Sequence, residues 1–313
     1  HFIPPLIFIL HTRTNKISTI MSAVSSFFTK LKFYLKSGLY GTLVAGCAIY
    51  GVLASIILRI VNKAEYAQYA VAKACYYVVS LFLGLKINIK NEKYLQNLPA
   101  IVVANHQSAL DIYVLGKVFQ PGYTVTSKKS LKYVPFLGWF MALSGTFFLD
   151  RSKSASAKKV LDGALTGLKN QGKALFIFPE GTRSATEDLT MLPFKKGAFH
   201  LARQAGIPII PVVVSNTSTI FNSKRKIFNT GEINIEVLPP VSTSDWETHE
   251  DVTNACYNIR DDMIKTLKKL GNSKIPGSKP REDFYPSESE KYSETDVEII
   301  NEQTPLKATA VSD

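Results

Sequence analysis

An uncharged stretch of twenty residues, 39–58, constrains the fold of this chain more than any other feature. Twenty residues in a helix extend about 30 Å, which matches the hydrocarbon core of a bilayer. Glycines at positions 41, 46 and 51 are tolerated in a membrane helix but would weaken a helix in water. Basic residues flank the stretch on both sides, so their distribution predicts no orientation. Residues 39–58 therefore predict a membrane-anchoring helix.

A second apolar run, residues 74–85, has only twelve residues and is too short to cross a bilayer alone. It fits an interfacial helix, the return limb of a shallow helical hairpin or a buried core helix, and the residues leave these alternatives open. Residues 1–20 precede the first methionine, Met21. We set them aside as an upstream or non-native extension, or a weak signal segment. We expect N-terminal membrane-associated helices over residues 21–86.

The charge is unevenly distributed. Residues 276–313 contain nine acidic and four basic residues, a net charge of −5. Since the whole chain has a net charge of +12, residues 1–275 have a net charge of +17. A basic body favours anionic partners such as a membrane surface or a phosphorylated substrate. No zinc-finger spacing, RNP-type segment or dense arginine run is present, so we expect no nucleic acid partner. Residues 272–313 are rich in Ser, Pro, Glu and Lys, and predict a disordered acidic tail.

Short apolar strands alternate with helical patterns over residues 87–271, which we assign to one domain. Strands are predicted at 87–90, 100–104, 123–126, 145–149, 174–178, 209–214 and 233–238, and helices at 110–118, 154–169, 198–204 and 251–270. This alternation predicts an α/β fold with a largely parallel sheet flanked by helices. The three cysteines are far apart and suggest neither a disulfide framework nor a metal site.

His106 and Asp111 stand five positions apart, just after an apolar strand. Ser108 and Asp111 fit a helix start, with the serine as N-cap and the acid in the first turn. Asp111 would then reach the imidazole, and the pair would form a general base with an orienting acid. The spacing has little specificity, and His106 could equally be a loop histidine beside a capping aspartate.

A second polar loop, Pro179 to Ser184, follows the strand predicted at 174–178. Gly181 permits a sharp turn, while Arg183 offers a planar fork of donors that suits phosphate oxygens. An ordinary surface loop with an Arg–Glu pair is the alternative. In parallel sheets ligands bind beyond the carboxyl ends of the strands. Polar groups are expected to converge there from four strands: His106 with Asp111, Arg151, Glu180 with Arg183, and Ser215.

Residues 126–132 form a basic loop that runs into an aromatic and aliphatic segment, 133–140. This combination fits a membrane interface or a pocket for an anionic head with a fatty chain, although a solvated loop beside ordinary core is the alternative. No G-x-S-x-G motif occurs and no cysteine neighbours a histidine in the sequence. The chain thus offers no obvious covalent nucleophile.

Four segments together resemble the ordered blocks of the glycerolipid acyltransferases: NHQSALD (105–111), GTFFLDR (145–151), FPEGTRS (178–184) and IPIIPVVVS (207–215). The match is strongest to the 1-acyl-sn-glycerol-3-phosphate acyltransferase family of fungal type. The resemblance implies transfer of a fatty acyl group from acyl-CoA to the sn-2 hydroxyl of lysophosphatidate. Glycerol-3-phosphate, another lysophospholipid, or a non-catalytic phospholipid-binding role remain as alternatives.

The same resemblance assigns roles to residues. It makes His106 the general base and Asp111 the group that orients the imidazole. It surrounds the acceptor phosphate with Arg151, Glu180, Gly181, Thr182 and Arg183, with assistance from Lys128 or Lys129. Pro208 and Pro211 are expected to shape the acyl or CoA pocket. Acyl-CoA is a co-substrate; no permanently bound cofactor, metal or obligate protein partner is expected. The family suggests membranes of the endoplasmic reticulum and lipid droplets, with the site facing the cytosol.

Overall fold

The fold comes from a computed structural model, which describes residues 5–150, 160, 163, 168–169 and 172–277, with side chains from Met21 onward. Arg151, most of the helix predicted at 154–169 and nearly all of the predicted tail lie outside the described residues. The described residues up to Pro276 form one compact unit.

The strands are β1 (Leu85–Lys90), β2 (Ala100–Ala104), β3 (Tyr123–Lys128), β4 (Phe147–Leu149), β5 (Ala174–Ile177), β6 (Ile209–Val214), β7 (Phe221–Asn222), β8 (Ile227–Phe228) and β9 (Gly231–Val237). Seven of them form a sheet at the centre of the molecule, in the order β1-β9-β6-β2-β5-β3-β4. All neighbouring strands are parallel except β6 and β9, so the predicted largely parallel sheet is confirmed. Two short strands, β7 and β8, pair as a separate hairpin that the sequence did not predict.

Helices cover both faces of the sheet. They are α1 (Pro5–Ile60), α2 (Ala67–Leu83), α3 (Asp111–Val118), α4 (Leu137–Leu143), α5 (Gly197–Ala205) and α6 (His249–Leu270). The helices predicted at 110–118, 198–204 and 251–270 are confirmed within two residues at each end. Helix α4 was not predicted, because its seven residues are too few to show a helical period in the sequence.

Alternate residues of the central strand β2 reach the two opposite cores. Val102 and Ala104 pack with the core that includes α1, α2 and α3. Ile101 and Val103 pack with the core of α5 and α6. Since successive side chains of a strand point to opposite faces, one apolar run serves both cores.

Helix α1 is described from Pro5 onward and runs through much of the segment set aside above. Its residues 21–60 are long and apolar enough to cross a membrane, with a mean hydropathy of 2.1 in the most apolar window. Yet a buried side chain recurs every seven residues, at Phe33, Tyr40, Cys47 and Ala54, and faces the domain. The opposite side, including Leu39 and Leu53, is exposed. The helix thus lies along the domain on one face and leaves the other uncovered.

Helix α2 contains most of the second apolar run. It returns beside α1 and buries Val71, Cys75, Val79 and Leu83, which are spaced by four residues. Tyr77, on another side of the helix, stays exposed. The run is therefore the return limb of a helical hairpin and also contributes one face to the core.

Candidate active site

The loops that follow β2, β5 and β6 meet at one edge of the sheet. These three strands are parallel neighbours, so they end at the same edge. The backbone of the loop after β5 bonds to that after β2: Ser184 N–H donates to the carbonyl of His106 at 2.9 Å, and Ala185 N–H to that of Gln107 at 3.2 Å. The predicted convergence of the His106 and Arg183 loops is confirmed.

His106 and Asp111 are in direct contact, as the sequence predicted. Nδ1 of His106 lies 2.6 Å from Oδ2 of Asp111. The same oxygen accepts the backbone N–H groups of Gln107 at 2.8 Å and Ser108 at 3.1 Å. The imidazole also stacks on the ring of Phe178, with centroids 4.1 Å apart. The imidazole ring is thus held at its Nδ1 edge by Asp111 and on one face by Phe178.

Asp111 is the first residue of α3, and its carboxylate turns back toward the loop. Ser108 was predicted as the N-cap, and this was wrong: Leu110 precedes the helix and makes no side-chain cap. The Ser108 hydroxyl instead accepts the N–H of Leu110, at 3.1 Å. The carboxylate thereby lies near the positive end of the helix dipole, a favourable position for an acidic side chain.

Glu180 does not face the site, which corrects its predicted place around the phosphate. Its side chain is buried, one oxygen accepts the N–H of His106 at 2.6 Å, and the other accepts the N–H of Leu192 at 2.9 Å. Burial raises the pKa of Glu180 to about 7, although the two N–H donors favour the charged form. Glu180 thus ties the His106 backbone to the chain beyond the loop.

Two amides beside His106, which the sequence analysis missed, attach its loop to the end of β6. Asn105 exchanges two bonds with the backbone of Val214, both of 2.9 Å. Gln107 donates to the Val214 carbonyl at 2.9 Å and accepts the N–H of Thr217 at 2.8 Å. Both amides are buried. The only hint in the sequence was their position on either side of the histidine.

A cavity of about 490 Å³ opens at His106. Its wall is predominantly apolar and comes from α1, α2, α3, α4 and β3, with side chains such as Ala48, Val71, Leu115 and Met141. This volume is typical of sites for small organic ligands. The sequence predicted residues 39–58 as an anchor only, whereas α1 also supplies part of this wall.

Cationic side chains line the same cavity. Arg183 and Thr182 from the loop after β5 and Lys128 from the end of β3 all contribute to its surface and are exposed. Lys129 begins the next turn and is not among the lining residues. Gly181 has φ of +72°, a backbone conformation that other residues rarely adopt, so glycine suits this turn.

Three further predicted residues do not lie at the cavity. Pro208 precedes β6 at the opposite edge of the sheet, and Pro211 lies within that central strand, beside Val103. Neither is among the residues that line the cavity, and their predicted role in shaping the acyl or CoA pocket stays a prediction. Ser215 is fully buried, and its hydroxyl bonds that of Ser273 at 2.8 Å. The predicted Arg151 lies outside the described residues.

Comparison with known proteins places this geometry in context. Residues 86–215 match the family model described as Acyltransferase. The 1-acyl-sn-glycerol-3-phosphate acyltransferase of Saccharomyces cerevisiae is 52% identical over 77% of this chain and 79% of its own length. The human 1-acyl-sn-glycerol-3-phosphate acyltransferase beta is 34% identical over 68% of this chain and 76% of its own length.

A solved structure has the same fold. It is the 1-acyl-sn-glycerophosphate (LPA) acyltransferase PlsC of Thermotoga maritima, with a TM-score of 0.59 and 24% identity. The alignment covers 79% of this chain and 97% of that one.

Proposed function

The chain belongs to the 1-acyl-sn-glycerol-3-phosphate acyltransferase family, and on that premise we propose that it transfers a fatty acyl group from acyl-CoA to the sn-2 hydroxyl of lysophosphatidate. The products are phosphatidate and CoA. One observation carries the proposal: His106, which is held by Asp111, lines the same cavity as Arg183 and Lys128. A base, an apolar chamber and phosphate-binding cations are the groups that this reaction requires.

His106 is the general base in this proposal. The ionised carboxylate of Asp111 can only accept, so the imidazole proton lies on Nδ1 and Nε2 is left to accept the proton of the acceptor hydroxyl. The hydroxyl oxygen attacks the thioester carbonyl, the C–S bond breaks, and the CoA thiolate takes the proton from the imidazolium. A thioester is already activated, so this direct transfer needs no covalent protein intermediate.

Arg183 and Lys128 are proposed to bind the phosphate of the acceptor. An arginine can form paired hydrogen bonds to phosphate oxygens, and a lysine adds a point charge. Both line the cavity that His106 also reaches. This arrangement favours an acceptor whose small, doubly ionised head is held beside the base, while a bulky zwitterionic head would lose part of the attraction.

The acyl chain of the donor is proposed to occupy the apolar cavity. The wall includes α1, whose other face is exposed and apolar. One helix therefore contacts the acyl chain on one side and membrane lipid on the other. Both lipid substrates partition into membranes, so this arrangement shortens their path to His106. We propose that the site faces the cytosol, where acyl-CoA is available.

A panel of acceptors offered with one acyl-CoA tests the proposal on the purified full chain. Lysophosphatidate should be acylated much faster than glycerol-3-phosphate or lysophosphatidylcholine. Equal use of lysophosphatidylcholine would contradict the assignment of the phosphate site. Binding of lysophosphatidate without turnover would instead indicate a non-catalytic lipid-binding protein.

A further inference from the structure

A group of large apolar side chains is exposed next to the cavity, on residues 131–139, which we name the aromatic tip. Tyr133 is 76% exposed and Trp139 55% exposed, and Leu131, Val134 and Phe136 are exposed as well. Contiguous exposed side chains of this size commonly mark an interaction site. The reaction proposed above gives no role to the outward-facing residues of this group.

The tip has a defined shape. Phe136 has φ of +60°, a conformation that is costly for a bulky residue and that persists only when its surroundings enforce it. Its ring meets that of Trp139 edge to face, with centroids 5.1 Å apart. Gly138 lies so close to the carbonyl of Lys132 that a Cβ would not fit there. The exposed rings are thus presented by a constrained turn.

The tip is continuous with the exposed face of α1. Helix α4, which contains Trp139, packs against the second half of α1: a Cβ on Gly51 would lie 2.6 Å from the Phe140 ring. At the end of α1, Arg59 Nη2 donates to the carbonyl of Leu143 at 2.9 Å. Leu53 and Ile60 are exposed on the same part of α1. Two elements in contact therefore both expose apolar side chains.

Exposed lysines accompany the tip. Lys128 and Lys129 lie just before the tip, and Lys132 lies within it. All three are exposed. Tyr and Trp rings with neighbouring lysines are typical of the boundary between headgroups and acyl chains. There the rings contact the apolar layer while the ammonium groups reach lipid phosphates.

We propose that the aromatic tip is a second membrane-docking element, which inserts Tyr133, Phe136 and Trp139 into the interfacial layer of the leaflet that α1 contacts. The partner is the lipid bilayer surface, and anionic headgroups are bound by Lys129 and Lys132. Leu131 and Leu137 of the tip, and Phe140 directly after it, line the cavity. The wall of the cavity therefore lies against the leaflet, where an acyl chain can reach it without crossing water. This inference rests on the proposed membrane association but not on the proposed reaction.

The two tryptophans of the chain allow a direct test, because only Trp139 lies in the tip. Trp246 packs against the core of α5 and α6, away from the tip. In full-length W246F protein, reconstituted in phosphatidylcholine vesicles, emission should come from Trp139 alone. Replacing the lipid with brominated phosphatidylcholine should quench more than half of that emission, and the spectrum should be blue-shifted. In the matched W139F protein, Trp246 emission should be nearly unchanged.

Flotation of the same vesicles shows that each variant is bound, so failure to bind is not confused with failure of the tip to insert. Unquenched Trp139 emission from floated protein would overturn the proposal. If Trp139 were shielded from both brominated lipid and aqueous acrylamide, the tip would be covered by protein, such as a second copy, and the proposal would also fail. Measuring acyl transfer by the same sample keeps the outcome separate from that of the proposed reaction.

Discussion

Asp111 binds the ring of His106 through the oxygen that also fixes the backbone around it. Oδ2 lies 2.6 Å from Nδ1 of His106 and accepts two backbone N–H groups from the intervening residues. The side chain of Asp111 is buried, so water cannot easily replace it. A single carboxylate thus holds both the ring of His106 and the path of its loop.

Asp111→Asn should lower kcat by about two to four orders of magnitude, the range typical for loss of general-base function. An amide in this position can hold the ring but cannot stabilise the imidazolium that forms during transfer. The KM for acyl-CoA should change little, since Asp111 does not line the cavity. Steady-state kinetics check this. Asp262→Asn, which alters an exposed aspartate on α6, is the control and should behave as wild type.

Glu180 should make stability depend on pH. Its folded pKa is about 7, above the ordinary value of 4.5, so folding takes up a proton between these values. The associated stability is present below about pH 4.5 and is lost as pH rises through about 7, on the order of 3 kcal/mol in total. Glu180→Gln should therefore show a smaller drop in Tm than wild type between about pH 5 and pH 8.

Glu232→Gln, which alters a partly exposed glutamate on β9, is the matched control for Glu180 and should retain the wild-type pH dependence. Thermal unfolding in detergent at several pH values measures all three proteins. Equal pH dependence in wild type and Glu180→Gln would show that Glu180 does not take up the proton.

Arg183→Ala should raise the KM for lysophosphatidate about tenfold to a hundredfold, which corresponds to the loss of a charged hydrogen bond. The KM for acyl-CoA should stay near the wild-type value. Arg183→Lys should recover only part of the loss, because a lysine cannot make the paired contact. Arg225→Ala, which removes an exposed arginine paired with Glu187, is the control. An unchanged KM in Arg183→Ala would remove this residue from the phosphate site.

Ala48→Phe should shorten the acyl chains that the enzyme accepts. Ala48 is buried on α1 and lines the cavity, so a phenyl ring there would occupy part of its volume. We expect kcat/KM for oleoyl-CoA to fall about tenfold or more relative to decanoyl-CoA, the size of effect that a few methylenes have in an apolar pocket. Competition between the two donors measures this ratio directly.

Ala45→Phe is the matched control, because Ala45 lies three residues before Ala48 on α1 and is exposed. It should leave the ratio unchanged. An equal loss with both donors in Ala48→Phe would indicate general disruption of the fold and would contradict an acyl chain in this cavity.

The sequence predicted those parts of the candidate site that follow the carboxyl ends of strands. His106 and Arg183 follow apolar strands, and parallel strands bring their carboxyl ends together, so their proximity could be inferred before the structure was known. The contact of Asp111 with His106 followed from helix spacing. The resemblance to one family also supplied the predicted roles of these residues, although the Glu180 side chain that it assigned to the phosphate is turned inward.

The directions in which these side chains point could not be predicted from the sequence. Ala48 and Cys47 belong to an apolar stretch whose composition looks the same whether a residue faces lipid or a cavity, so the wall formed by α1 was not predicted. Glu180 is adjacent to cavity residues along the chain, yet burial and two backbone donors turn its carboxylate inward. Phe136 takes a positive φ that no local preference favours, and the exposed tip it helps to form was therefore visible only in three dimensions.

The most direct test of the account is the rate of acyl transfer from oleoyl-CoA to lysophosphatidate by wild type and His106→Ala, purified and reconstituted side by side. His249→Ala, which removes an exposed histidine at the start of α6, is the control. Wild type and the control should form phosphatidate at equal rates. His106→Ala should be slower by about two to four orders of magnitude, with unchanged Tm and vesicle binding. Turnover by His106→Ala at the wild-type rate would contradict base catalysis by His106 and with it the central claim.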